Sequence, residues 1–384
     1  MSEMKSLDVR ILGEGAAISD WIAVPKLVMA SDPTWICPLD IVEKERVSPA
    51  HNPFFEYGEA RFFVAYDQGR PVGRISAQIN RLYNETRGEP ASQFGFFDCI
   101  DDQKVARALV DHASQWLASR GATSMEGPFS LTINQDSGLL VSGFEHQPAI
   151  MTSHAPPWAG GLLESCGLSK CMDLFAYRMS TANAPVDFQR LAKLALQGDR
   201  VRVRPLDMSR YRKETALVFD IFNDAWSDNW NFIPINGREA AALARDMRPL
   251  LRSKFSWIAE IDGHPAAMII VLPDINRVIE RFRGRLLPFN WLKLAFSVWR
   301  DRWQTARVPL LGIRKKFRGD PVAVCALSML LSEVMNVSRQ YDLEWAEISW
   351  VLETNRPMLQ LAGMAAGKPV RVYRIYRKDI GSTV

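Results

Sequence analysis

The 384-residue sequence predicts an α/β (α+β) fold of two tandem domains, each a mixed, twisted sheet flanked by helices. Three observations carry that expectation. The chain is long for one domain and comfortable for two, each able to bury its own core. A strand, tight-turn, strand pattern, Phe63-Val64-Ala65-Tyr66-Asp67-Gln68-Gly69-Arg70-Pro71-Val72-Gly73, returns about two hundred residues later as Trp257-Ile258-Ala259-Glu260-Ile261-Asp262-Gly263-His264-Pro265-Ala266-Ala267. After each copy, strands and helices follow in matched order.

In the first half, residues 94–100 read as a strand and 102–120 as an amphipathic helix that Asp101 and Asp102 open as a cap. A strand over 124–134 follows, then a helix through Leu163 closed by Gly167, and a strand ending Ala176-Tyr177-Arg178. The small-residue run in 181–200 is the expected linker, which sets the domains at 1–180 and 201–384. In the second half, Val308-Pro309-Leu310-Leu311-Gly312-Ile313 reads as a buried strand that empties into a basic turn, Arg314-Lys315-Lys316-Phe317-Arg318-Gly319-Asp320-Pro321-Val322-Ala323. A helix over 324–339, a strand over 343–352, a short helix after Asn355 and a strand over 370–377 complete it. A strand that turns into a helix start presents unpaired N–H groups beside a positive dipole end, a natural seat for phosphate.

An insertion at about 277–307 interrupts this order. Its apolar residues, Phe289, Trp291, Leu292, Phe296, Trp299 and Trp303, form one wide face, with Arg277, Arg281, Arg283 and Arg285 before it and Arg300, Arg302 and Arg307 after it. An apolar helix flanked by arginines suits contact with an anionic membrane surface through Phe289, Trp291, Phe296, Trp299 and Trp303; packing on its own domain is the alternative.

Composition narrows the classes. The net charge is +4, and the N-terminal residues MSEMKSLDVRILGEG contain no long apolar stretch of a signal or transit peptide. No eighteen apolar residues run uninterrupted, and the five cysteines show no CxxC spacing. The expectation is a cytoplasmic protein, peripheral to the inner membrane face if the insertion binds lipid, with no metal and no nucleic acid partner. Signatures of nucleophile elbows, P-loops and zinc proteases are missing.

The strand, basic turn, helix, strand, helix and strand of the second half resemble the acetyl-coenzyme-A-binding half of the GNAT superfamily of N-acyltransferases. There the turn reads Arg/Gln-x-x-Gly-x-Gly/Ala; here it reads Arg318-x-x-Pro321-x-Ala323. The resemblance implies donor contacts at Ile313, Arg314, Arg318, Gly319 and Ala323. Pro321 deletes one N–H, and Asp320 brings negative charge to the place of the pyrophosphate. An acyl-phosphopantetheine on an acyl carrier protein, which lacks that pyrophosphate, is therefore favoured as thioester donor over a degenerate domain that binds none, with ordinary acyl-CoA as a further option. The first half resembles bacterial GNAT-like proteins of similar length in the order Gly127-Pro128-Phe129, Ile133-Asn134, Gly138-Leu139-Leu140 and His154-Ala155-Pro156-Pro157.

Amine acylation needs a base for the amine, donors for the oxyanion and an acid for the thiolate. His154 stands among polar residues that end a strand and begin a helix, and titrates near neutrality. Glu347, mid-strand among apolar residues, is the second candidate base; Asn134 and Asn355 sit at strand ends, Asn355 equally suited to cap a helix. The resemblance implies a general acid at Tyr373 on the closing strand. Some bacterial GNAT-like proteins N-acylate sphingoid bases to give ceramide, and the resemblance implies that chemistry, with a lipid amine as acceptor. Acetylation of a small soluble amine, and a non-catalytic membrane-peripheral scaffold, are the alternatives.

Overall fold

Both expected hairpins form, and both close in the same way. Strands β3 (Gly58–Asp67) and β4 (Arg70–Asn80) meet through Gln68 and Gly69 at φ 52° and 78°; β10 (Ser256–Ile261) and β11 (His264–Pro273) meet through Asp262 and Gly263 at φ 50° and 78°. Two consecutive left-handed residues are what the twist of a two-residue hairpin requires. The computed structural model describes residues 7–83, 92–180 and 200–381; all of the expected linker but Arg200 lies outside the described residues.

By internal packing the chain divides into two units, one of residues 1–174, 279–290 and 371–384, the other of residues 175–278 and 291–370. In unit 1 the strands run β2 (Gly15–Ala16), β1 (Asp8–Leu12), β3, β4, β5 (Ser92–Cys99), β6 (Ser124–Gly127), β14 (Arg371–Asp379) and the first part of β8 (Ser169–Met179), with β7 (Leu139–Ser142) also on β14. Its core joins α1 (Ile18–Val28) to the sheet, with Trp21 edge-on to Phe62 at 5.2 Å and Phe96 at 5.5 Å. Helix α2 (Asp40–Arg46) follows α1, and α3 (Gln103–Ala118) is capped by Asp102, which accepts from the Lys104 and Val105 N–H groups. Helix α4 (Ala159–Ser165) precedes β8.

In unit 2 the order is the end of β8, β13 (Trp345–Leu352), β12 (Thr305–Ile313), β11, β10 and β9 (Val201–Pro205). Helices α5 (Tyr211–Trp226), α6 (Gly237–Met247), α7 (Asn290–Arg300), α8 (Pro321–Gln340) and α9 (Arg356–Ala366) accompany it. Helix α8 is long and apolar enough to cross a bilayer, although its sequence contains no uninterrupted apolar run. Its residues Ala326, Leu330, Leu331 and Val334 are instead part of the unit 2 core.

Two differences from the sequence expectation follow. The closing strand, expected in the second domain, packs in unit 1, where Tyr376 pairs with Gly127 and Arg377 with Glu126. Alternation fixes which face a residue takes and leaves the partner strand open. Trp303, expected on the exposed face of the insertion, lies beyond the end of α7 and is 4% exposed in the unit 2 core, its indole N–H donating to Asp301 at 2.8 Å.

Candidate active site

In each unit two parallel strands separate partway. β5 and β6 are paired at Gln93 and Glu126 alone; β12 and β13 are paired from Thr305 with Trp345 to Val308 with Ile348, after which no pair joins them. Around the unit 1 opening the chain crosses very closely. A Cβ at Gly95 would lie 1.6 Å from the Phe129 carbonyl oxygen, and one at Gly127 2.2 Å from that of Phe94, so only glycine fits at either position.

Beside this crossing lies a half-open cavity of about 160 Å³, walled by Phe96, Asp98, Phe129, Ser130, Thr152 and His154 among others. Its charged wall is built across strands. Arg74 faces Asp98 in register, its Nε donating to Asp98 at 2.7 Å, while Nη1 donates to Glu43 at 3.1 Å. Arg46 donates to Glu43 at 3.1 Å and to Asp136 at 2.6 Å. Burial pushes the Glu43 carboxyl up, but two guanidiniums outweigh it and hold the group below its usual value. Burial likewise pushes Asp98 up, and here the single arginine in direct contact does not bring it back.

His154 sits at this wall with its side chain 2% exposed. Its Nδ1 lies 2.7 Å from Arg371 Nη2, and its Nε2 lies 2.8 Å from an Asp32 oxygen. Arginine can only donate, so Nδ1 accepts and the ring hydrogen points from Nε2 to Asp32. Asp32 is held in turn by the Thr34 N–H at 2.8 Å and hydroxyl at 2.7 Å. Burial, and then the Arg371 charge, lower the affinity of His154 for a second proton. The folded pKa is thus below the unfolded value of about 6.5, and the unfolded chain takes up a proton that the folded one refuses. Stability from this site is complete above about pH 6.5 and declines as pH falls below it. Urea titrations between pH 7 and pH 5.5 are expected to show that decline, and His154→Gln is expected to flatten it.

The other candidates separate by unit. Asn134 lies in the loop leading to Asp136, its N–H donating to Thr132 Oγ1 at 3.1 Å, and is not part of the cavity wall. Tyr373 is fully buried on β14 opposite Leu140, in unit 1. Its neighbour Tyr376 donates to Glu164 at 3.3 Å, and burial beside that carboxylate pushes the phenol up to about 12. Glu347 belongs to unit 2 and is fully buried, but not among apolar groups alone: it accepts from Arg178 at 3.1 Å and from Ser349 at 3.1 Å. Asn355 caps α9 by accepting from the Met358 N–H at 3.2 Å.

The expected phosphate seat in unit 2 is furnished with carboxylates. Arg314 pairs with Asp220, Lys315 with Asp228, and Arg318 lies 3.7 Å from Asp228. The Lys315 N–H donates to Asp224 at 2.7 Å, and Asp320 caps α8 by accepting from the Val322 N–H at 2.9 Å. Gly319 turns at φ 90°, but Ala323 is buried and Ile313 packs against the unit core. A ring at Trp226 fills the space beside Gly312, where an added Cβ would lie 2.2 Å from it. These groups do not fit a pyrophosphate, which needs free amides and unpaired bases.

No protein-family model matches the chain. It is 38% identical over 367 residues to a curated protein of Caulobacter vibrioides named bacterial ceramide synthase, covering 95% of both chains. The chain belongs to the bacterial ceramide synthase family. A second member, protein YghO of Escherichia coli, is 36% identical over 361 residues, covering 94% of this chain and 92% of its own. Among solved structures, a tandem GNAT protein of the clavulanic acid biosynthesis pathway aligns over 99% of this chain and 100% of its own, with TM-score 0.57 and 12% identity. The GCN5-related glucosamine N-acetyltransferase region of a fungal multi-domain β-N-acetylglucosaminidase aligns with TM-score 0.59 and 13% identity over 98% of this chain, which spans 38% of that longer protein. The fold is a tandem GNAT fold, and this family member is an N-acyltransferase, joining an acyl group from a thioester to an amine.

Of the motifs that the sequence singles out, Gly127-Pro128-Phe129, Gly138-Leu139-Leu140 and His154-Ala155-Pro156-Pro157 each contribute residues to the unit 1 cavity. Sequence reasoning missed Glu43, Arg46, Arg74 and Asp98. A signal existed for two of them: Arg74 interrupts the apolar positions of β4, and Asp98 ends the run Phe94-Gly95-Phe96-Phe97 in β5. Charges placed inside hydrophobic strands are paired or functional.

Proposed function

We propose that this N-acyltransferase acylates a lipid amine, a sphingoid base in the first instance, and that the acceptor's polar head is handled in the unit 1 cavity. The observation that carries the lipid reading is α7. It has no buried residue, and Trp291, Leu292, Phe296 and Trp299 are 47%, 48%, 52% and 78% exposed, with Lys293 and Arg300 also exposed on the same helix. Large exposed rings beside bases suit an anionic bilayer surface, where a long-chain amine resides. The name of the Caulobacter vibrioides relative supports the same product class. In this reading the protein is cytoplasmic and peripheral to the inner membrane face.

The reaction joins the amine nitrogen to the thioester carbonyl carbon and breaks the carbon–sulfur bond; the ammonium proton goes to a base and the thiolate gains a proton. His154, at the cavity, is the base candidate of unit 1, and Arg371 would have to release its Nδ1 for that role. The carboxylates of the unit 2 turn favour a donor without a pyrophosphate, so acyl-phosphopantetheine on a carrier protein is proposed ahead of acyl-CoA. The test is mass spectrometry of products from acyl-CoA and acyl-carrier thioesters offered with sphinganine or spermidine on anionic vesicles. An N-acyl long-chain base is expected, and the double change Trp291→Ala, Trp299→Ala is expected to lower vesicle binding and product at least about tenfold. Acylated spermidine, unaffected by those changes, would favour a soluble acceptor instead.

A further inference from the structure

The wall of the unit 1 cavity is unequally charged. Among the described residues, Glu43, Asp98 and Asp136 pair with Arg46 and Arg74 alone, and all five line the same space. The other charged groups near it balance: Asp32 and Arg371 stand on opposite sides of the neutral His154 ring. Glu43 is hydrogen-bonded by both arginines, while Asp136 and Asp98 are each hydrogen-bonded by one, Asp136 by Arg46 and Asp98 by the Arg74 Nε. The excess negative charge falls on these two, and Asp98 is the more enclosed, its side chain 13% exposed against 21% for Asp136. A carboxylate so enclosed and so thinly compensated is costly to keep ionised, which agrees with the upward push that burial gives it.

We propose that Asp98 is the specificity-determining seat for the acceptor's ammonium group. The cavity admits the acceptor in its protonated form, and the cation completes the charge balance that the described side chains of the wall leave short by one. Trp35, Phe97 and Phe129 line the same wall, and a ring face, with its negative π cloud, attracts such a cation. The volume of about 160 Å³ corresponds to about five waters at about 30 Å³ each, room for a polar head of a few heavy atoms while an alkyl tail stays outside. An alcohol of the same shape brings no charge and gains none of this attraction, so the seat chooses amines over hydroxyl acceptors. The inference rests on the reading that this cavity receives the acceptor, and adds what it recognises there.

The experiment is calorimetric titration of the full chain at pH 7 with octylamine and, separately, 1-octanol, together with thermal melting of the native protein and Asp98→Asn. Octylamine is expected to bind at least about tenfold more tightly than octanol, and Asp98→Asn to remove that difference. The neutral amide removes the excess charge, so the variant is expected to melt no lower than the native protein. Equal binding of amine and alcohol by the native protein would overturn the proposal, as would unchanged octylamine binding by Asp98→Asn. A lower melting temperature for the variant would also overturn it, because the charge would then serve the fold. Octylamine binding needs no acyl transfer. Selective binding without any N-acyl product would fail the proposed function and leave the ammonium seat standing.

Discussion

Replacing Thr152 by tryptophan is expected to lower kcat/KM for N-acyl transfer at least about a hundredfold, equivalent to about 2.7 kcal/mol, while the protein still folds. Thr152 is half-buried at the cavity wall, and its hydroxyl donates locally to the Ala149 carbonyl at 2.8 Å. An indole there has the cavity of about 160 Å³ before it and takes the volume that the acceptor head needs. Overpacking should cost about 1–3 kcal/mol of stability, which urea unfolding would register. Lys316→Trp on the unit 2 turn serves as control, since Lys316 belongs to the other unit and is exposed. Full activity in Thr152→Trp would remove the cavity from the reaction.

The largest stability effect is expected at Glu347. Glu347→Ala leaves the Arg178 guanidinium, 12% exposed, without the carboxylate 3.1 Å away, and leaves Ser349 without its acceptor. Breaking a buried pair by removing one partner costs about 3–5 kcal/mol, whereas the pair itself can be close to neutral in worth. Urea midpoints should fall accordingly, and activity per folded molecule should persist. A hundredfold loss of kcat with unchanged stability would instead support the catalytic role that the sequence suggests for Glu347.

The contrast between these residues shows what the sequence discloses. Turns and caps are local, so the Gln68-Gly69 and Asp262-Gly263 hairpins and the Asp102 cap are legible from a few adjacent residues. The motifs around Phe129 and His154, polar runs at strand ends, both line the unit 1 cavity. Partners distant in sequence are another matter. Arg178 lies 169 residues from Glu347, and Arg371 lies 217 from His154, so neither ion pair nor tautomer follows from spacing. Trp303 continues the periodicity of its helix on paper, but the helix ends at Arg300 and the chain turns its indole inward. The basic turn reads as a phosphate seat until α5 supplies Asp220 and Asp224 to it.

The central claim, that the acceptor is handled in unit 1, is tested most directly by photo-crosslinking. An alkylamine carrying a diazirine two or three carbons from its nitrogen would be irradiated with the full chain on anionic vesicles, and the labelled peptides sequenced by mass spectrometry. Adducts within residues 96–98, 128–139 or 148–155, suppressed by unlabelled sphinganine, are the expected result. Adducts confined to the unit 2 turn at 314–323 or to the strand at 345–352 would contradict it.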